Sequence, residues 1–299
     1  MPLPIPPRAT GPSRLEAALL LAAGALLALA VFGPVLHDSA HQHGFADQRT
    51  LLGIPCALDV LSNLAFAMAG ALGLAWLARL PSGAVDGVSR ALAGLFFAGL
   101  VCTAAGSAFY HWRPSDFGLM WDRLGMVLPF AGLLGLAAAG RVSQRAGTAT
   151  AGAVLLGGTL AVLWWALSGN VLPWAVVQLG GMLVVLALAM LPRRGGALAL
   201  HLGAVIAFYG VAKLFEAADH AVLEATGQWV SGHSLKHLAA AAAALPVLSA
   251  LAGLLPRNAG HGPVATTGQN GAQHRSASRP ITAPEMPFLQ TKMPTRRDA

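Results

Sequence analysis

Charge is scarce in this sequence. Only 10% of its 299 residues are Asp, Glu, Lys or Arg, where about 25% is usual in a soluble domain. So few charges cannot cover a water-facing surface, which excludes a soluble enzyme, a disordered chain and a nucleic-acid binder. The formal charge of +7 does not reopen the last of these. Residues 257–299 hold six Lys/Arg and two Asp/Glu and so supply +4 of it, leaving no basic face elsewhere. Cysteine is nearly absent. Cys56 in a loop and Cys102 inside an apolar segment are too few for a disulfide framework and are not expected to pair. Alternating apolar and polar runs are missing too, and with them a β-barrel. What the chain has in excess is apolar residues, 56% of the total, the composition of a polytopic membrane protein.

A bilayer core about 30 Å thick takes roughly 20 helical residues, and the sequence holds eight apolar stretches of that order. They run over 15–36, 58–80, 89–111, 118–140, 149–168, 171–191, 198–222 and 233–255, the fifth and sixth parted only by a tight turn at Gly169 and Asn170. Ala, Leu and Gly dominate, as in packed membrane helices. The first stretch is too long for the apolar part of a signal peptide and is read as a helix. Lys and Arg then set the orientation. Fourteen fall on the tails and on the loops after spans two, four and six, against two (Arg49 and Arg113) on the opposite side. Both termini are therefore expected in the cytoplasm. The expected layout is a tail over 1–14, a first helix over 15–36, an outer loop over 37–57, a membrane core over 58–255 and a disordered tail over 256–299.

Ionisable groups within membrane helices are costly and mark function by default. Here they cluster. Asp59, Ser62 and Asn63 start span two; Ser107 and His111 end span three; Asp122 and Arg123 begin span four. Lys213, Glu216, Asp219 and His220 end span seven, and His233, Lys236 and His237 begin span eight. Counting spans puts all five groups on the non-cytoplasmic side. His233 and His237 are four apart and share a helix face, as do Ser107 and His111. Three histidines from two helices match the open His₃ pattern of catalytic zinc, with a fourth position for water. Asp122 is then placed to take a proton from that water or to orient a ligand histidine, and Ser107 to hydrogen-bond the water or a developing oxyanion. Asp122 pairing with Arg123 is the plainer alternative. Lys213, Glu216 and His220 share one face and read as an intramembrane ion-pair network. His37, His41 and His43, with Asp38 and Asp47, read as an exposed hydrophilic loop rather than a second metal site. Trp112, Trp121 and Trp229 fall where interfacial anchors belong.

In this order the motifs resemble the alkaline ceramidase family. They are Ser107-x₃-His111 in GSAFYHW, Asp122 in WDRLGM, and His233-x₃-His237 in SGHSLKHL. That family belongs to a superfamily of seven-helix membrane hydrolases that includes adiponectin-receptor-like and Per1-like proteins. The SNLAF stretch around Ser62 and Asn63 looks like the first core helix of the ceramidases. The resemblance covers about residues 45–255. It implies an all-α bundle in which spans two to eight form a seven-helix core and span one is an addition. It also implies Zn²⁺ held by His111, His233 and His237, with Asp122 as proton acceptor and Ser107 steadying the tetrahedral intermediate. Asp59, Asn63, Lys213, Glu216, Asp219 and His220 would support them. Eukaryotic members carry an acidic calcium-binding stretch before the first core helix. Here that region reads FADQRTLLGIPCALDVLSN, with Asp47 and Asp59 its only carboxylates, which makes calcium regulation doubtful. The charged AKLFEAADH stretch and the extra helix suggest a divergent, bacterial branch in the inner membrane.

The expected activity is hydrolysis of the amide bond of ceramide or a ceramide-like lipid, with the bilayer and the lipid as partners and no nucleic acid or protein partner. A lipid amide leaves the bilayer only at high cost, so zinc and water must be brought to headgroup depth. The alternatives are a receptor-like protein with a structural zinc site and, third, a divalent-metal transporter. Retained Ser107 and Asp122 favour catalysis over a closed structural site. Polar residues confined to one side argue against a transport route.

Overall fold

The computed structural model describes residues 11–39 and 42–255. Residues 1–10, His41 and the expected tail over 256–299 lie outside them. Among the described residues the chain is all-helical, with no strand. Helix α1 spans Arg14–Phe32. α2 (Ala57–Ser62) and α3 (Leu64–Arg79) continue one another across Asn63. α4 (Gly87–Trp112), α5 (Asp116–Arg141) and α6 (Gln144–Ser168) are long and unbroken. α7 (Leu172–Ala175) runs through a π-helical turn, Val176–Gly180, into α8 (Gly181–Ala189). α9 (Leu202–Ala217) is followed by α10 (Asp219–Ala225), α11 (Gly232–Ala242) and α12 (Leu245–Ala252).

The helix starts are written in the sequence. Ser13 and Glu16 close a capping box on α1, and the side chains of Asp86, Ser115, Ser143 and Ser231 each accept a backbone N–H in the first turn of α4, α5, α6 and α11. Gly169, at φ +70°, ends α6 in the left-handed region. Asn170 beside it accepts the amides of Leu36 and Leu172 and so ties the end of α1 to the start of α7. The outward faces carry Leu21, Met68, Leu160 and Met190, all largely exposed, which is the surface expected against lipid rather than water. The interior packs Phe96, Phe97, Leu134, Leu136, Val185, Val205 and Val247 into one core.

Among the described residues seven helices are long and apolar enough to cross a membrane, where eight spans are expected. The exception is the expected seventh span, 198–222. Its helix α9 has 16 residues, about 24 Å at 1.5 Å per residue and short of the roughly 30 Å core. The helix stops at Ala218, φ −103°, because the Asp219 carboxylate is drawn off to the backbone amides of His233 and Ala46. Lys213 and Glu216 further lower the hydropathy of this segment. Helix α1 has no buried residue and stands outside the core.

Two close backbone approaches position the helices that carry the polar cluster. A Cβ on Gly106 of α4 would lie 2.5 Å from the carbonyl oxygen of Trp121 in α5, and one on Gly232 would lie 2.3 Å from the carbonyl oxygen of Phe215 in α9. The first contact lays α4 directly on the Trp121–Asp122 peptide; the second seats the start of α11 against the end of α9. Glycine is required at both. Replacing Gly106 by Ala should therefore destabilise the protein by about 2 kcal/mol through forced separation of α4 and α5. Gly94→Ala, on the same helix with nothing within 4 Å of its Cβ, should be neutral or stabilising by about 0.5–1 kcal/mol. Thermal denaturation of the two variants in detergent compares them directly.

Candidate metal centre

His111 reaches the site from the last turn of α4, and His233 and His237 from the first two turns of α11. All three are buried, and one ligand atom from each lies within 4.8 Å of the others. His111 Nε2 and His233 Nε2 are 3.3 Å apart. Two nitrogens on a tetrahedral ion with metal–nitrogen bonds of about 2.0–2.1 Å stand about 3.3 Å apart, so the rings are already at ligand spacing. The three histidines can hold a metal ion.

The surrounding hydrogen bonds choose the tautomer. The Ser62 hydroxyl donates to the Asp59 carbonyl oxygen at 2.9 Å, so its oxygen is left to accept the His237 Nδ1–H at 2.7 Å. His237 Nε2 then carries the lone pair that faces the other two rings. Lys236, which can only donate, lies 3.2 Å from His233 Nε2 and marks that nitrogen as an acceptor as well. His111 Nδ1 is buried without a partner. Phe45 covers the site, its ring centroid 4.5 Å from that of His111 and 4.8 Å from that of His233.

Asp59, expected as support, is buried beneath α11. Its Oδ1 accepts the hydroxyls of Ser231 and Ser234, and the Asn63 side-chain amide donates to its carbonyl oxygen. Asp59 thus fixes the start of α11, on which two of the three histidines sit. Asp219 does the same from the other side by accepting the His233 amide. Ser107 stands beside the Asp122 carboxylate, and both line the same cavity. The plainer alternative for Asp122 does not hold, because Arg123 makes a two-pronged pair with Asp38 at 2.9 and 3.2 Å and lies 4.0 Å over the Trp165 ring.

Two expectations need correction. His220 does not join Lys213 and Glu216: the break at Ala218 takes it off the α9 face, it is exposed, and the second partner of Glu216 is Lys236, 3.1 Å away. Nor is the loop over 37–57 simply exposed. His37 is exposed, but His43 is half-buried between Tyr110 and Asp116, Asp38 holds Arg123, and Asp47 is buried against Arg49. His37 and His43 join no metal-ligand group among the described residues. Sequence reading places Ser62 and Lys236 in the polar cluster without giving them roles at the site, and misses Phe45, Ser231 and Ser234. For Ser62 a signal was available, since a histidine ligand needs a partner for its second nitrogen. Nothing in the sequence singles out Phe45.

A cavity of about 990 Å³ opens from the site into the bundle, at the upper end of the range for ligand pockets. Ser107, Asp122, His233 and His237 line it at one end, and Phe66, Phe96, Leu100, Phe130, Leu133 and Met182 line the remainder. The site can therefore present a metal ion, a carboxylate and a hydroxyl to a molecule that is otherwise apolar. Comparison with family models, curated proteins and solved structures finds no match to this chain.

Two outcomes test this geometry. Protein purified without added chelator should carry one transition-metal ion by mass spectrometry, His237→Ala should abolish binding, and Ser62→Ala should weaken it about 10- to 100-fold. In the outer loop, Arg49 donates through its side chain and amide to Asp47 and holds that carboxyl below its ordinary range. A depressed carboxyl stabilises the loop above its unfolded value, near 3.9, and the contribution fades as pH falls through the lower folded value. Amide-exchange protection of Arg49 should accordingly hold at pH 5–7 and begin to fade only as pH falls below about 4.

Proposed function

We propose that this chain is a zinc-dependent intramembrane hydrolase that cleaves the amide bond of ceramide or a ceramide-like lipid to a sphingoid base and a fatty acid. The observation that carries the reading is the shared cavity: two of the three histidines at ligand spacing, His233 and His237, line one apolar chamber together with Asp122 and Ser107. A structural metal site is closed by its ligands and needs neither a proton acceptor nor a chamber, which weighs against the receptor-like alternative. The motif order supports kinship with the alkaline ceramidases, with α2–α12 as the seven-helix core and α1 as the added helix. On the distribution of Lys and Arg, both termini face the cytoplasm of a bacterial inner membrane and the site lies toward the opposite face.

His111, His233 and His237 would hold the zinc. Bound there, zinc supplies Lewis acidity toward a carbonyl and brings the pKa of water at that position to about 7. Asp122 accepts the proton that the attacking water gives up and returns it to the departing amine. The Ser107 hydroxyl, free to rotate, donates to the carbonyl oxygen as negative charge builds on it. The water oxygen bonds to the acyl carbon, the C–N bond breaks, and a carboxylic acid and an amine leave. The acyl chain rests among Phe96, Phe130 and Leu133 throughout. Phe45 keeps bulk water off the histidines, which strengthens each of these polar contacts.

Asp122→Asn keeps the shape and removes the base, so fatty acid release from a ceramide in proteoliposomes should fall at least 100-fold while zinc content stays at one equivalent. Undiminished release by this variant, or purified wild type without stoichiometric zinc, ends the proposal. Full zinc with no release by the wild type would favour the structural alternative.

A further inference from the structure

A neutral lipid amide leaves one wall of the cavity unused. Lys213 of α9 and Lys236 of α11 converge on one carboxylate, Glu216: Lys213 Nζ donates to Oε2 and Lys236 Nζ to Oε1. Two ammonium groups thus share a single counter-charge. All three side chains line the cavity, and with 40%, 22% and 37% of their side-chain surface accessible for Lys213, Lys236 and Glu216 they are open to an occupant. Tyr209, one turn before Lys213, extends the row. Its ring lies 5.9 Å from Lys213 Nζ and its hydroxyl is buried without a hydrogen-bond partner. Residues 209, 213 and 216 share one helix face by their spacing.

The other acids nearby are committed. Asp38 takes Arg123, Asp219 takes the backbone amides of His233 and Ala46, and Asp122 stands beside Ser107 with Lys236 as its main cationic neighbour. A divalent ion on three neutral imidazoles would add still more positive charge at the same end of the cavity. Cations placed in apolar surroundings call for a partner, and with the divalent ion bound, Glu216, Asp122 and Asp219 no longer balance it and the two lysines.

We propose that Lys213 and Lys236, with the Tyr209 hydroxyl, form a subsite for a carboxylate carried close to the scissile amide, so that the preferred substrates are N-acyl amino acids. This rests on the hydrolase reading of the site and moves its preferred substrate from ceramide to lipid amides that carry an acidic head. The reach fits. A metal ion about 2 Å from His233 Nε2 lies within about 5 Å of Lys236 Nζ, given the 3.2 Å between those nitrogens. An amide with its carbonyl at the metal carries an α-carboxylate two bonds beyond its nitrogen, within hydrogen-bonding distance of Lys236. A ceramide or ethanolamide sets a neutral hydroxyl at that place and leaves the second ammonium without a counter-charge.

The experiment compares N-palmitoylglycine with N-palmitoylethanolamine, which share the chain and the amide and differ in carboxylate against hydroxymethyl. Equilibrium binding to the purified full-length protein should favour the glycine conjugate at least tenfold. The ratio should fall to about one in Lys213→Met/Lys236→Met, while Lys213→Arg should retain most of it. Equal affinities in the wild type overturn the proposal without reference to any variant, as does a preference that survives the double substitution. Cleavage of both amides is followed in parallel. Cleavage without anion preference sinks this inference and leaves the hydrolase standing; anion preference without cleavage leaves the subsite and removes the hydrolase.

Discussion

Three imidazoles buried against one another at the end of a helical bundle are tolerable only if each ring nitrogen has a defined role, and this requirement organises everything around them. A buried donor or acceptor without a partner costs about 1–3 kcal/mol. The chain meets the demand at His237 and His233 and leaves His111 Nδ1 without a partner. Ser62 takes the far nitrogen of His237 and Lys236 approaches His233, while the near nitrogens of His111 and His233 face each other at 3.3 Å. Two imidazole nitrogens so placed with nothing between them repel unless one carries the proton. A cation between them removes the conflict for both, and the chemistry of the donor set thereby fits a metal better than it fits a packed core.

That arrangement depends on how α11 is seated, because two of its three histidines come from that one helix. Gly232 allows the first turn to touch the Phe215 carbonyl. Asp59 clasps the turn through Ser231 and Ser234, and Asp219 caps the His233 amide. The charges that seemed merely costly in the sequence thus have separate duties: Asp59 and Asp219 position the helix, whereas Lys213, Glu216 and Lys236 face the cavity. The break at Ala218 follows from the same demand. An uninterrupted helix across residue 218 would carry Asp219 away from the α11 amide it caps, so the short α9 reflects the local polar requirement winning over the regularity of a span.

Much of this was legible before any coordinates. Long apolar runs identify α1, α4, α5 and α6 because a membrane helix must satisfy its backbone internally and so shows as an unbroken stretch. His111, His233 and His237 were legible as a group because five segments placed polar or ionisable residues at one depth, and ionisable groups within membrane helices are too costly to be incidental. Spacing alone could not reveal partners at long range. Arg123 follows Asp122 in the chain yet pairs with Asp38, 85 positions away, and Glu216 chooses Lys236 on another helix over His220 on what looked like its own. The outer loop was the least legible. Its polar composition reads as solvent-exposed, but Asp38, His43 and Asp47 turn inward to partners that only the folded chain supplies, and Phe45 rides in with them.

The loop also gives the site its direction. Phe45 is 5% exposed and packs edge-on to both His111 and His233, held there by the Ala46 amide on Asp219 and by the Tyr110 hydroxyl on the Gln42 carbonyl. The histidines are therefore shielded on the side where the loop lies, and His233 and His237 face the cavity, whose walls are mostly apolar. On the hydrolase reading, a lipid coming from the bilayer would find walls suited to its chain before it met any charge. On the same reading, an exposed metal site would hydrolyse whatever carbonyl diffused to it, whereas a site behind Phe45 would confine reaction to molecules apolar enough to fill the chamber and polar enough, at one end, to engage Asp122, Ser107 and the lysines.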